Sequence, residues 1–186
     1  MTKDDIRAQL TAAGLDPDAI SGLIDAAIAE DLAGGVDVTT MATVPAEQRS
    51  QLDLVARAPG VVAGIPIAAL VFENVAASAG SPVDASQDRS DGDAVVAGDV
   101  LLSIRGRTRD LLTAERTALN LLCHLSGVAT ATAKWAVALS GSQTRVRDTR
   151  KTTPLLRSLE KYAVRCGGGV NHRMALSDAA LVKDNH

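Results

Sequence analysis

The final stretch, residues 145 to 186, constrains the fold more than any other part of the chain. It begins with an extended segment, TRVRDT, and continues through an amphipathic run opened by Pro154. A glycine-rich loop, GGGVNHRM, then leads into a second apolar run, AALVKDNH. Leu155, Leu156, Leu159, Tyr162 and Ala163 share one helical face, and Gly167 lies just past its end. Strand, helix, loop and strand predict a βαβ unit with parallel, neighbouring strands and a right-handed crossover. Both predicted strands run from apolar to charged, the first into Asp148, Thr149, Arg150 and Lys151, the second into Lys183, Asp184, Asn185 and His186. In α/β barrels and open α/β sheets, such strand ends line the ligand site.

The preceding residues fit around that unit. Residues 4 to 31 read as two helices, the second with Pro17 in its first turn and Ile20, Leu23, Ile24, Ala27 and Ile28 at helical spacing. QLDLVAR, residues 51 to 57, alternates as a half-buried strand does, and IAALVFENVAAS reads as a helix. DGDAVVAGDVLLSIRG looks like two short strands joined by a Gly-Asp turn. It is similar to half of a biotinyl or lipoyl carrier domain, but no lysine lies between Lys3 and Lys134 to carry the group. Residues 110 to 139 form the strongest helical run, with Leu112, Leu119, Leu122 and Leu125 on one face and a bend or a division expected at Ser126-Gly127.

Charge is divided unevenly along the chain. Residues 145 to 186 hold nine Lys or Arg against four Asp or Glu, whereas the rest of the chain holds ten against eighteen. A basic third on an acidic body points to a local anion site, with a salt-bridged surface as the alternative. Nucleic acid is disfavoured, because Phe72, Trp135 and Tyr162 are the only aromatics and supply no stacking surface. The acidic first thirty residues lack a secretory signal pattern, and no apolar run is long enough for a membrane span. Cys123 and Cys166 are too few for a disulfide framework, so a reducing, cytoplasmic setting is expected.

Arg150, Lys151, Lys183, His172 and Arg173 would together rim one mouth of the βαβ unit. Arginine offers planar bidentate pairing to carboxylate or phosphate, and lysine a compact point charge. Five such donors suit a ligand with several negative groups. Taken singly, each reads better as a solvated or ion-paired cation. His124 reads as packed or surface-facing and both cysteines as small core residues. Gly167 to Gly169 could form an anion nest or simply cap a helix and permit close backbone approach. Arg145 and Arg147, earlier on their strand, read as salt-bridging or interface residues.

Four segments also carry a family resemblance: ERTALNLLCHLSGVAT (115 to 130), RDTRKTTP (147 to 154), LEKYAVRCGGGVNHRM (159 to 174) and LSDAALVKDNH (176 to 186). In order and at these spacings they resemble the signature blocks of quinolinate phosphoribosyltransferase, also called nicotinate-nucleotide pyrophosphorylase. EDLAGGVDVTT and the small-strand region fit its N-terminal domain. The resemblance implies an N-terminal α/β sandwich domain over residues 1 to 112. Residues 113 to 186 would then begin an incomplete, TIM-like α/β barrel. It further implies an enzyme that joins quinolinate to 5-phosphoribosyl-1-pyrophosphate with Mg²⁺, releasing pyrophosphate and carbon dioxide and giving nicotinate mononucleotide, a step of NAD biosynthesis.

By position, Arg150, His172, Arg173 and Lys183 match residues that hold the quinolinate carboxylates, and Thr149 and Lys151 match contacts beside them. Lys151 faces the phosphoribosyl donor in this reading, and Lys151 and Lys183 are the expected catalytic residues. Arg116 matches an arginine lent across a homodimer interface. Pyridine nitrogen would attack the anomeric carbon as pyrophosphate leaves, and the pyridinium would then accept the electrons of the departing carboxylate, so no organic cofactor is expected. A TIM-type barrel takes about 250 residues, so the chain is expected to be truncated at its C-terminus, with the metal ligands beyond it. The alternatives are a fragment that binds anions or dimerises without catalysis, and a related transferase acting on another heteroaromatic acid.

Overall fold

The structure, a computed structural model, describes residues 1 to 184. Three helices open the chain, each capped by its own sequence. Thr2 and Asp5 cap α1 (Lys3–Ala12) reciprocally; the Asp16 carboxylate accepts the first amides of α2 (Pro17–Leu32), and Asp37 caps the short α3 (Val38–Thr43). β1 (Arg49–Val55), β2 (Gly60–Val61), α4 (Ile65–Ser78), β3 (Asp84–Gln87), β4 (Ala94–Val95) and β5 (Val100–Arg107) follow. The last elements are α5 (Thr108–Ala138) and α6 (Arg157–Cys166).

β1, β5 and β3 form an antiparallel sheet in that order, with Leu52 opposite Ile104 and Ile104 opposite Ala85. β2 pairs with β4 in a separate ribbon. The two short strands expected to face each other across a Gly-Asp turn therefore part company: β4 joins β2, and β5 joins β1 and β3. α4 is buried almost throughout, from Ile65 to Phe72, because the sheet, α1, α2 and α5 enclose it. A helix that is apolar all round belongs at such a centre.

α5 runs undivided through residues 112 and 113 and through Ser126-Gly127, where a bend or a division was expected. The reason is that Ser126 and Thr130, one turn apart, direct their hydroxyls to the neighbouring ribbon. Ala63 N–H donates to Ser126 Oγ at 3.1 Å and Val61 N–H to Thr130 Oγ1 at 2.9 Å. The buried face of α5 is Leu111, Ala114, Ala118, Leu122, Leu125 and Ala129, rotated slightly from the predicted stripe, so Leu112 is exposed.

α4 has no cap of its own, and Asp91 supplies one from a distant loop. Its carboxylate accepts Gly64 N–H at 2.7 Å, Ile65 N–H at 2.9 Å and Tyr162 O–H at 2.7 Å. Burial raises the Asp91 carboxyl above its ordinary range, even though all three donors oppose that shift. One half-buried acid thus joins the start of α4 to α6, the helix that carries the buried centre of the candidate site.

After α5 the βαβ expectation is met in altered form. The parallel partner of Arg147 is Val170, not the AALV run, with Val170 N–H donating to the Val146 carbonyl and Asp148 N–H to that of Val170. Residues 179 to 184 carry no strand; Leu181 and Val182 are exposed there, as an unpaired edge would be. The glycines explain the early return. A Cβ on Gly167 would lie 2.3 Å from the Ala129 carbonyl oxygen, one on Gly169 2.7 Å from Val164, and Gly168 has φ +82°. They let the chain turn tightly beneath α5 and meet Val146 within a few residues of leaving α6. Gly167→Ala should accordingly cost about 1–3 kcal/mol, since the obstacle is backbone; a thermal unfolding midpoint equal to the parent's would show that the α5–α6 spacing yields.

Pro154 lies in a turn rather than at the start of α6, and Leu155, expected inward, is 89% exposed with φ +67°. Leu159, Tyr162 and Ala163 do face the core.

Candidate anion-binding site

The cations singled out in the sequence sit on two segments that a buried hub draws together. The first, residues 148 to 151, leaves the short parallel pairing at Asp148. The second, residues 170 to 173, leaves it at Val170. Between them stands Lys161, on the inner face of α6 and fully buried. Its ammonium donates to Asp148 Oδ1 at 2.5 Å and to the His172 carbonyl at 3.0 Å. Asp148 Oδ1 also accepts His172 N–H at 2.7 Å, and Oδ2 accepts Asn171 Nδ2 at 2.6 Å. Asn171 Nδ2 reaches back to the Lys161 carbonyl at 2.8 Å, and its Oδ1 accepts Arg165 Nη1 at 2.7 Å. Asp148, Lys161 and Asn171 were not among the expected site residues. Their only sequence signal was an acid lodged among cations and a lysine on the apolar side of a helix.

The hub also orients the residues next to its members. Thr149, exposed, accepts Lys151 N–H at 3.0 Å, which turns Lys151 outward into solvent. Arg150 is half-buried, and its Nε is enclosed without an acceptor. His172 Nδ1 accepts Arg173 N–H at 2.6 Å, so the ring proton lies on Nε2 and the imidazole presents a donor on its free side. Arg173 donates to the Ala179 carbonyl.

Asp178 reports the convergence. Its carboxyl is held below the ordinary range first by the N–H groups of Ala175 and Met174, then by the charges of Arg173 and Arg150 together. Two arginines from separate segments therefore act on one exposed carboxylate. Lys183 is exposed, and Arg116 is exposed on α5, an element that contributes nothing to the hub. Asn185 and His186, which close the second predicted strand, lie outside the described residues. Arg145 and Arg147 are exposed.

α6 grips the site on its other side too. Glu160 accepts Thr153 N–H at 3.2 Å and lies 2.9 Å from His124 Nε2, which places His124 on the surface in a hydrogen bond. Burial pushes the Glu160 carboxyl up, but the Thr153 and His124 hydrogen bonds outweigh it and bring it below 4.5. A cavity of about 790 Å³ opens elsewhere, between β1, β2 and α5, lined by Leu52, Leu54, Leu119, Lys134 and Trp135, and it touches none of the expected site residues.

Comparison with known proteins places this geometry. Residues 37–126 match the family described as quinolinate phosphoribosyl transferase, N-terminal domain, and residues 128–186 the corresponding C-terminal domain. The chain belongs to the quinolinate phosphoribosyltransferase family. It is 50% identical over 169 residues to a nicotinate-nucleotide pyrophosphorylase (carboxylating) of Mycobacterium leprae, covering 91% of this chain and 59% of that protein. It is 38% identical over 167 residues to quinolinate phosphoribosyltransferase (decarboxylating) 1b of Nicotiana tabacum, covering 90% and 46%. Among solved structures, NadC from Streptococcus pyogenes aligns with a TM-score of 0.86 at 44% identity, over 92% of this chain and 59% of that one.

The chain thus spans under two thirds of these relatives. Its architecture is an N-terminal α/β domain joined to part of a barrel domain. A human nicotinic acid phosphoribosyltransferase, 16% identical with a TM-score of 0.54, shares the fold alone.

Proposed function

We propose that the basic rim binds quinolinate. The polypeptide of which these residues are part transfers the phosphoribosyl group of 5-phosphoribosyl-1-pyrophosphate to it, with decarboxylation to nicotinate mononucleotide. The observation that supports this reading is the Asp148 carboxylate, which accepts the Asn171 amide and His172 N–H and so holds the segments carrying Arg150, Lys151, His172 and Arg173 side by side. The charges of Arg150 and Arg173 both help hold the Asp178 carboxyl below its ordinary range, so both act on the same neighbourhood. In this reading the arginines pair with the carboxylates bidentately and the His172 Nε2–H donates to one of them. Lys183 adds a further charge at the rim. Holding both acids fixes the ring nitrogen for attack on the anomeric carbon and stabilises the dianion until one carboxylate departs.

Lys151, directed outward beside Thr149, faces the donor and balances charge developing on the departing pyrophosphate. Arg116 completes the site of a second copy across a homodimer interface, consistent with its exposure on α5. Among the described residues no group of three or more His, Cys, Asp or Glu is placed to hold a metal ion. Mg²⁺ enters this reading as part of the donor substrate, and no step is assigned to it on this chain. A cytoplasmic setting belongs with the same reading; no helix of the described residues is long and apolar enough to cross a membrane.

The test is nicotinate mononucleotide formation from quinolinate and the donor, with quinolinate binding measured beside it. Lys151→Ala should lower turnover by on the order of a hundredfold, as removal of one preorganised transition-state donor does, with weakened donor affinity. Unchanged turnover and donor affinity would remove Lys151 from the mechanism. Binding of quinolinate without turnover would instead identify an anion-binding piece that needs further elements for catalysis.

A further inference from the structure

Lys161 is the only cation among the described residues in the fully buried core. An ammonium is tolerated there only when its donors are used, and both the Asp148 carboxylate and the His172 carbonyl take them up. An apolar side chain of similar length would fill the same volume. What the ion pair adds over such a side chain is a fixed arrangement, because Asp148 has to receive Lys161, His172 N–H and Asn171 Nδ2 at once. Those three bonds set how far the strand end lies from the loop. Arg150 stands two residues after Asp148 and Arg173 directly after His172, so the same bonds fix the backbone positions from which the two guanidinium groups extend. No atom of Lys161 need touch a ligand for this.

We propose that Lys161 is a positioning residue which, through Asp148, sets the Arg150–Arg173 spacing and thereby the preference of the rim for vicinal dicarboxylates over monocarboxylates. The proposal rests on the quinolinate reading above and deepens it. A monocarboxylate needs one guanidinium and is indifferent to the second; a vicinal dicarboxylate needs both at a fixed separation. Loosening the hub therefore removes discrimination before it removes binding. Lys151 and the donor side, held through Thr149 and Thr153, should be less affected.

The experiment is isothermal titration of the chain with pyridine-2,3-dicarboxylate and with pyridine-3-carboxylate, on the parent and on the double variant Lys161→Met/Asp148→Asn. That variant removes both charges and leaves neither buried alone. The parent should prefer the dicarboxylate, and the double variant should lose that preference by about tenfold or more, as misplacement of binding groups does. Its monocarboxylate affinity should stay within about threefold, the usual context-dependence of such interactions. A merely structural role would weaken both ligands in proportion, leaving the ratio intact, and that result overturns the proposal. If the double variant lacks a cooperative unfolding transition, Asn171→Ser takes its place, since it removes one bond to Asp148 Oδ2; an unchanged ratio there overturns the proposal equally. A parent with no preference for the dicarboxylate would overturn the quinolinate reading itself, and with it this inference.

Discussion

Lys161→Met alone should lower the unfolding free energy by about 3–5 kcal/mol, the usual cost of leaving a buried charge without its partner. Asp148 is the group left behind: its side chain is 7% exposed and keeps only the Asn171 amide and the His172 N–H as donors. The methionine fills most of the vacated space, so little of the loss comes from packing. Adding Asp148→Asn to the same chain should recover a large part of it, because no charge is then buried without a counterion. The measurement is urea unfolding monitored by far-UV circular dichroism on the four members of this cycle. Tryptophan fluorescence is a poor reporter, as Trp135 is already 67% exposed. A loss below about 1 kcal/mol, the range of exposed pairs, would mean that the ion pair is solvated rather than buried.

Asp91→Ala should cost about 3 kcal/mol at neutral pH, roughly 1 kcal/mol for each donor left unpaired. Gly64 N–H and Ile65 N–H at the start of α4 and the Tyr162 hydroxyl all lose their acceptor at once. The pH dependence has a definite sign. The folded-state carboxyl lies above its ordinary 3.8, chiefly through burial, so its contribution is fully present below 3.8 and declines as pH rises through the folded value. The deficit of the alanine variant should therefore be larger in acid than at neutral pH. Denaturant midpoints of parent and variant at the two pH values check both statements; a deficit that grows towards neutral pH would reverse the assignment of burial as the dominant cause.

Some of the site could be read directly from the residues. Arg150 and Lys151 at a strand end, and His172 and Arg173 in a glycine-rich loop, emerge from apolar runs that stop abruptly in charge. Asp148 gave no such signal, because an acid between cations reads as a surface charge until its partners are known. Those partners are thirteen residues away in Lys161 and more than twenty away in Asn171 and His172. The second strand was misplaced for a related reason. AALV has the composition of a buried strand, whereas Val170 is a single apolar residue after three glycines. Close approach of Gly167 to α5 brings Val170, and not AALV, beside Val146. The triple glycine left two readings open, and the contacts at Gly167 and Gly169 support close packing.

The caps of α1, α2 and α3, the strongly apolar α4, the basic C-terminal third and the four family blocks were determined by the sequence itself, since each depends on neighbours along the chain. Which strands pair, how α5 runs undivided past Ser126-Gly127 and how the two basic segments meet were decided only by the tertiary structure. The physical reason is that these features depend on partners distant in the chain: hydroxyls of α5 that meet a remote ribbon, an acid that caps a helix it does not adjoin, and a buried lysine whose charge is admissible only because Asp148 arrives beside it.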